Sequence, residues 1–131
     1  MNKANLALLI SALLGCGSVA LGAFGAHALE DLLAERGSAK TWDTAVHYLQ
    51  WHTLGMLVLA LGMQTKALPE SAMRVVWIWL GGILFFSGSL FGLATGGPRW
   101  LGPVTPIGGI LFMTGWLFLA GFALRKGRAS S

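Results

Sequence analysis

Four uncharged stretches constrain what this chain can become. No Asp, Glu, Lys or Arg occurs from Ala4 to Leu29, from Thr44 to Thr65, from Val75 to Pro98 or from Leu101 to Leu124. A helix needs about 20 apolar residues to cross the hydrocarbon core of a bilayer, and each stretch meets that length. Inside lipid the backbone must satisfy its own polar groups, which for segments of this kind means helices. The expected fold is an all-α membrane protein. Four transmembrane helices, over about 6–28, 44–65, 73–94 and 106–124, form a compact bundle and a single integral membrane domain over 1–131. Composition agrees: charged residues make up 11% of the chain, against about 25% in soluble domains. Little chain is left outside the spans for a separate soluble catalytic domain.

The first stretch has features of a signal peptide. Lys3 precedes it, Ala26-His27-Ala28 fits a small-x-small cleavage site, and Leu13-Leu14-Gly15-Cys16 loosely resembles a lipoprotein box. The run is nevertheless longer than a signal core of about 7–15 residues, and it stays apolar beyond Cys16. A retained first span is the expectation. With Cys16 as the one cysteine, no internal disulfide can form.

The connections carry their own signals. Leu29, Leu32 and Leu33 fall on one side of a helical turn, away from Glu30, Asp31 and Glu35. This suits a short interfacial helix between the first two spans, with Gly37 as its stop. Thr41 is a suitable N-cap for span two, with Asp43 in its first turn. Pro69 and Glu70 mark the start of span three, Gly96-Gly97-Pro98 its break, and Thr105-Pro106 the opening of span four. An even number of spans places both termini with the central loop. That side carries Lys3, Lys66, Arg74, Arg125, Lys126 and Arg128, against Arg36, Lys40 and Arg99 on the other. The excess of basic residues puts both termini in the cytoplasm. The net charge of +4 lies in short loops and tails and indicates no nucleic-acid partner. Trp42 and Trp100 are expected at the outer interface and Trp77 and Trp79 near the inner one.

The chain has 19 glycines. In a bilayer, helices associate by close backbone approach and dispersion, so small residues mark contact faces. Ser11, Gly15, Ser18, Gly22 and Gly25 form one stripe. Gly88, Gly92 and Gly96 form two overlapping GxxxG units, and Gly55 and Gly62 share a face. Packing within the chain is the plain reading; a homo-oligomer contact through one stripe is the alternative.

Few side chains can carry chemistry. His27 ends span one. Tyr48 and His52 are four apart on one helix face, with His52 about 12 Å deep if the span starts at Thr44. His27, Tyr48 and His52 can converge on the outer side, joined by Arg99 from the other outer loop. Ionisable groups within a membrane raise a functional hypothesis, and histidine suits proton transfer or metal binding at neutral pH. The alternative is structural: a neutral histidine satisfied by an interhelical hydrogen bond. No carboxylate or thiolate joins the histidines at ligand spacing, so neither a metal site nor a cofactor is expected. No nucleophile is paired with a base, and no phosphate loop is present.

Gly22-Ala23-Phe24-Gly25-Ala26-His27-Ala28-Leu29 resembles the signature of a family of small membrane proteins of unknown function. It includes the bacterial YgdD- and YwdK-like inner-membrane proteins and the vertebrate transmembrane protein 256. Tyr48 with His52-Thr53-Leu54, Phe86-Ser87-Gly88-Ser89-Leu90, and Arg99 with Val104-Thr105-Pro106-Ile107-Gly108-Gly109 and Gly115-Trp116 extend the resemblance over nearly the whole chain. His27, His52 and Arg99 fall on the pattern and His47 does not. Leu49 separates Tyr48 from Gln50, which the family often has adjacent, and Phe91 replaces a frequent Tyr. The resemblance implies a multi-span protein of the bacterial inner membrane and carries no activity, substrate or cofactor. A non-enzymatic structural or interaction component is the expected role, in contact with the lipid bilayer and with itself or a membrane partner. The alternative is a small-molecule or proton-coupled carrier using His27, Tyr48 and His52.

Overall fold

The computed structural model describes residues 1–129, with side chains described as far as Gly127. The described residues are helical, without a strand. Helix α1 covers Lys3–Ala26, α2 Glu30–Glu35 and α3 Ala39–Gln64. A short 3-10 turn, Glu70–Ala72, leads into α4, Met73–Gly82. A wider π-type turn, Ile83–Ser87, joins α4 to α5, Gly88–Ala94, in one continuous rod. A second 3-10 turn, Arg99–Leu101, precedes α6, Val104–Ala129. Asn2 opens α1 as its N-cap, its side chain accepting from the Asn5 N–H at 2.8 Å.

The helical membrane bundle is as expected. Three of its helices are both long and apolar enough to cross a bilayer: Lys3–Ala26, Glu70–Ala94 and Arg99–Gly127. α3 matches them in length but not in apolarity, because His47, Tyr48, Gln50 and His52 fall in its first half. Of these His52 is buried, and packing explains why α3 tolerates it, whereas His47 and Tyr48 are exposed. Ten of its residues are buried, against four in α1. α1 covers one side of α3, the rod from Glu70 to Ala94 covers the other, and α6 lies outermost against that rod. A helix shielded in this way can keep a buried polar ring such as that of His52, which a lipid-facing position would not favour.

Side-chain bonds fasten both ends. At one end Lys3 pairs with Glu70 at 3.1 Å, Gln64 Nε2 donates to Asn5 Oδ1 at 3.2 Å, and Lys126 Nζ approaches the Ala67 carbonyl at 3.5 Å. Both ends of the described chain therefore meet the Thr65–Pro69 loop. The side chain of Arg128, a basic group expected on this face, lies outside the described residues. At the other end Ser38 Oγ donates to the Ala94 carbonyl at 2.7 Å. The Trp42 and Phe91 rings lie 4.6 Å apart there, and the Arg36 guanidinium covers Gly96, whose φ of +94° favours glycine.

The helix ends differ from expectation by a few residues, for local reasons. α1 stops at Ala26 with His27 as its C-cap. α3 begins at Ala39, one turn before the expected start, so Thr41 lies inside it. Pro69 precedes the next helix rather than opening it. Thr105 and Pro106 sit within the first turn of α6, where the Thr105 hydroxyl lies 2.6 Å from that of Ser89 instead of capping. Trp42 and Trp79, expected at the interfaces, are buried, whereas Trp77 and Trp100 are exposed.

Those two buried tryptophans share a device. Trp42 Nε1 donates to the Leu21 carbonyl of α1 at 2.9 Å, and its indole lies over Gly25. Trp79 Nε1 donates to the Phe112 carbonyl of α6 at 3.1 Å, and its indole lies over Gly115. In each case the glycine sits three or four residues past the accepting carbonyl, one turn along the same helix face. A Cβ there would collide with the indole. The glycine thus uncovers a carbonyl, and a tryptophan N–H that would otherwise be unsatisfied in an apolar interior finds an acceptor.

Candidate functional site

His52 is the one titratable side chain among the buried residues described, at 4% exposure. Because α3 starts at Ala39, His52 lies 13 residues, about 20 Å, along a helix about 39 Å long. It occupies the middle of that helix, further along it than a start at Thr44 implies. Its partners fix its tautomer. Nδ1 lies 2.8 Å from the Tyr48 carbonyl, which only accepts, so Nδ1 carries the proton. Nε2 lies 3.1 Å from Trp116 Nε1, which only donates, so Nε2 is the acceptor. The ring is a neutral imidazole with both nitrogens committed.

Aromatic side chains enclose it. Phe112 stacks on the imidazole at 3.6 Å and 10°. Trp79 meets it edge-on at 5.4 Å. Tyr48, one turn back on α3, stacks at 6.2 Å and also packs on Phe86 at 4.4 Å. Phe86 belongs to the π-type turn, where the extra residue widens the helix and brings its backbone against Gly108 of α6. Two clefts flank the imidazole. One, of about 320 Å³, is lined by His47, Tyr48, Trp51, His52 and Trp116. The other, of about 300 Å³, runs between Tyr48, Phe86 and Met113.

Of the four residues singled out from sequence, the structure brings Tyr48 and His52 together and leaves His27 and Arg99 apart. His27 is exposed at the α1 cap, where its backbone N–H reaches the Phe24 carbonyl. Arg99 opens the turn before α6 and is exposed. Neither makes a hydrogen bond, ion pair or ring contact with His52 among the described residues. Tyr48 contributes its backbone carbonyl and ring face; its hydroxyl has no partner there. No group of three His, Cys, Asp or Glu side chains able to hold a metal occurs among the described residues. Trp116, Phe112 and Trp79 complete the site, and the sequence pattern does not single them out. The signal that points to them is a mid-span tryptophan, whose N–H needs an acceptor, and the Gly115-Trp116 pair.

The small residues divide between contacts and open positions. On α1, Gly15 faces Thr53, Gly22 faces Val46 and Gly25 faces Trp42, all on α3. Ser11 and Ser18, buried between them, return their hydroxyls to their own helix at Ala7 and Gly15. Gly92 faces Leu101 of the following turn, whereas a Cβ at Gly88 would meet nothing from another helix. Close approaches elsewhere include Gly55, Gly82, Gly108 and Gly115, against Trp79, Phe112, Phe86 and Trp79, and Gly62 against Leu68. Thr53 Oγ1 is buried without a partner.

A bundle of long apolar helices with a neutral, enclosed histidine at its centre defines a small polytopic membrane protein. Comparison with known proteins gives the family. The model for a protein family of unknown function, DUF423, matches residues 21–109, and the chain belongs to that family. It is 43% identical over 112 residues to a UPF0382 membrane protein of Staphylococcus epidermidis, covering 86% of this chain and 89% of the relative. Identity is 40% over 124 residues to the UPF0382 inner membrane protein YgdD of Escherichia coli, covering 92% and 91%. For the UPF0382 membrane protein YwdK of Bacillus subtilis it is 36% over 116 residues, covering 88% and 91%. No solved structure matches this chain significantly.

Proposed function

We propose that this chain is a non-enzymatic component of the bacterial inner membrane that acts by packing against lipid and a membrane partner. The observation that carries this reading is the commitment of both His52 nitrogens inside the bundle. A proton carrier needs a histidine that changes partner or charge. Here the ring is stacked, hydrogen-bonded on both sides and removed from Glu and Asp. It serves as a polar key that fixes α3 against α6.

The topology follows the same logic. α1 ends and α4 begins at opposite ends of the bundle, because the N-terminal end meets the Thr65–Pro69 loop. If α1 and the Glu70–Ala94 rod each cross the bilayer, α3 must cross back between them. Four spans then place both termini on one side, and the basic excess makes that side cytoplasmic. A C-terminal reporter active only outside the cytoplasm is expected to stay silent. The α1 stripe is occupied by α3, and Gly92 by Leu101, so a second copy would use other surfaces.

One observation favours a second reading: the cleft of about 320 Å³ that reaches His52 past Tyr48 and Trp51. A small ligand entering there would make the protein a carrier. Flux assays separate the two. Purified protein in liposomes should give proton and solute flux no greater than empty vesicles. A pH-dependent flux that disappears in His52→Ala would replace the packing role with transport.

A further inference from the structure

A groove on the other side of Trp116 from His52's two clefts opens at the Thr65–Pro69 loop, and Trp116 forms its inner end. It has a volume of about 960 Å³ and runs from the Thr65–Pro69 loop along the last turns of α6. Its wall is apolar, formed by Leu68, Trp116, Leu119 and Phe122, and its mouth is basic, with Lys66, Arg125 and Lys126. Nine residues of α6 separate Arg125 from Trp116, a rise of about 13 Å. This approaches half the thickness of a hydrocarbon core of about 30 Å. The groove is thus one leaflet deep, with positive charge at the surface end.

We infer that this groove binds an anionic phospholipid, its phosphate at Lys66 and Arg125 and an acyl chain along Leu119 and Phe122 toward Trp116. Charge complementarity supports this occupant. The nearby acid, Glu70, is paired to Lys3 at 3.1 Å, and so does not neutralise Lys66 or Arg125. Ser71 lines the groove in the first turn of the Glu70–Ala94 rod, and Pro69 before it provides no capping side chain. The partial positive charge of that helix start points the same way. Arg74 adds a further cation in an adjoining cleft shared with Ser71 and Arg125.

The backbone at Lys66 is the second observation. Lys66 has φ of +59°, the only non-glycine residue with positive φ among the described residues. It ends α3, with its N–H bonded to the Met63 carbonyl and Leu68 N–H returning to Gly62. Helices usually finish such a motif with glycine, which has no Cβ penalty. Here a lysine holds the strained position and lines the mouth of the groove. The strain marks a functional demand on that side chain.

The substitution that tests this is Lys66→Gly, because the turn accepts glycine readily. It is combined with Arg125→Gln, and retention of phosphatidylglycerol and of phosphatidylcholine is measured by native mass spectrometry of protein released from mixed nanodiscs. The wild type should retain phosphatidylglycerol preferentially, and the double variant should lose affinity for it roughly 30-fold. Leu119→Trp, which fills the groove with the charges intact, should abolish retention as well. Equal retention of the two lipids, or retention unchanged in both variants, overturns the proposal. So does displacement of the lipid by excess inorganic phosphate, or a second copy of the chain in its place.

Discussion

The two sides of α3 are built on opposite plans. Toward α1 the contact is extensive but thin in side chains: Gly15, Gly22 and Gly25 admit Thr53, Val46 and Trp42, and two side-chain hydrogen bonds cross it near its ends, Trp42 to Leu21 and Gln64 to Asn5. Toward α4 and α6 the contact is aromatic and polar. Trp79, Phe112 and Trp116 surround His52; Trp116 of α6 donates to its imidazole, and Trp79 of α4 donates to the Phe112 carbonyl of α6 within the same cluster. The first side packs by the absence of side chains, and its contacts are separable. The second is a connected cluster in which moving one ring disturbs the rest. In lipid, where apolar surface gives no drive for association, a small bundle gains close approach from the first plan and a unique arrangement from the second.

The largest effect should come from blocking the aromatic side at its centre. Trp79 is fully buried between Gly55 and Gly115, so Gly115→Leu is expected to lower stability by about 3 kcal/mol or more. Gly25→Leu makes the same kind of collision with Trp42, nearer the end of the bundle, and should be less damaging. Unfolding of the two variants in detergent would rank them, and the reverse order would break the comparison. A smaller effect is expected from the polar key. His52→Leu removes two hydrogen bonds and a stacked pair and should lower stability by about 2 kcal/mol. In a cycle with Trp116→Phe the coupling should be about 1 kcal/mol, whereas Gly25→Ala and His52→Leu should simply add. The smallest effect belongs to Thr53, whose hydroxyl is orphaned against α1. Thr53→Val should be neutral or raise stability by up to about 1 kcal/mol; a clear loss of stability would give that hydroxyl a role on the thin side.

Legibility from sequence follows the same divide. The uncharged stretches, the short helix at Glu30–Glu35, the stop at Gly37 and the α1 stripe are readable because each depends on local spacing. The pairing of Tyr48 with His52 is readable as a four-residue interval on one helix. The distant helix that supplies the partner is not. Nothing local says that Trp116 will donate to His52, or that Trp79 will sit over Gly115 of α6. Only topology draws His27 and Arg99 toward the site, and the caps and turns that hold them keep them at the surface. Gly88 sits at the interval of a contact glycine yet faces no other helix.

That wide turn, Ile83–Ser87, makes the Glu70–Ala94 rod two screws of different phase joined end to end. A residue added to a helix rotates the rest of that helix by about 100°. Ser87 can therefore donate to the Ala45 carbonyl of α3 while Ser89 meets Thr105 at the start of α6, although Trp79 below them is aimed independently. Removal of one residue here would restore an ordinary helix and swing the segment beyond it by more than a quarter turn. The aim of Trp79 and the aim of Ser87 and Ser89 are thus set separately, and the residue count of the turn between them is what keeps both in place.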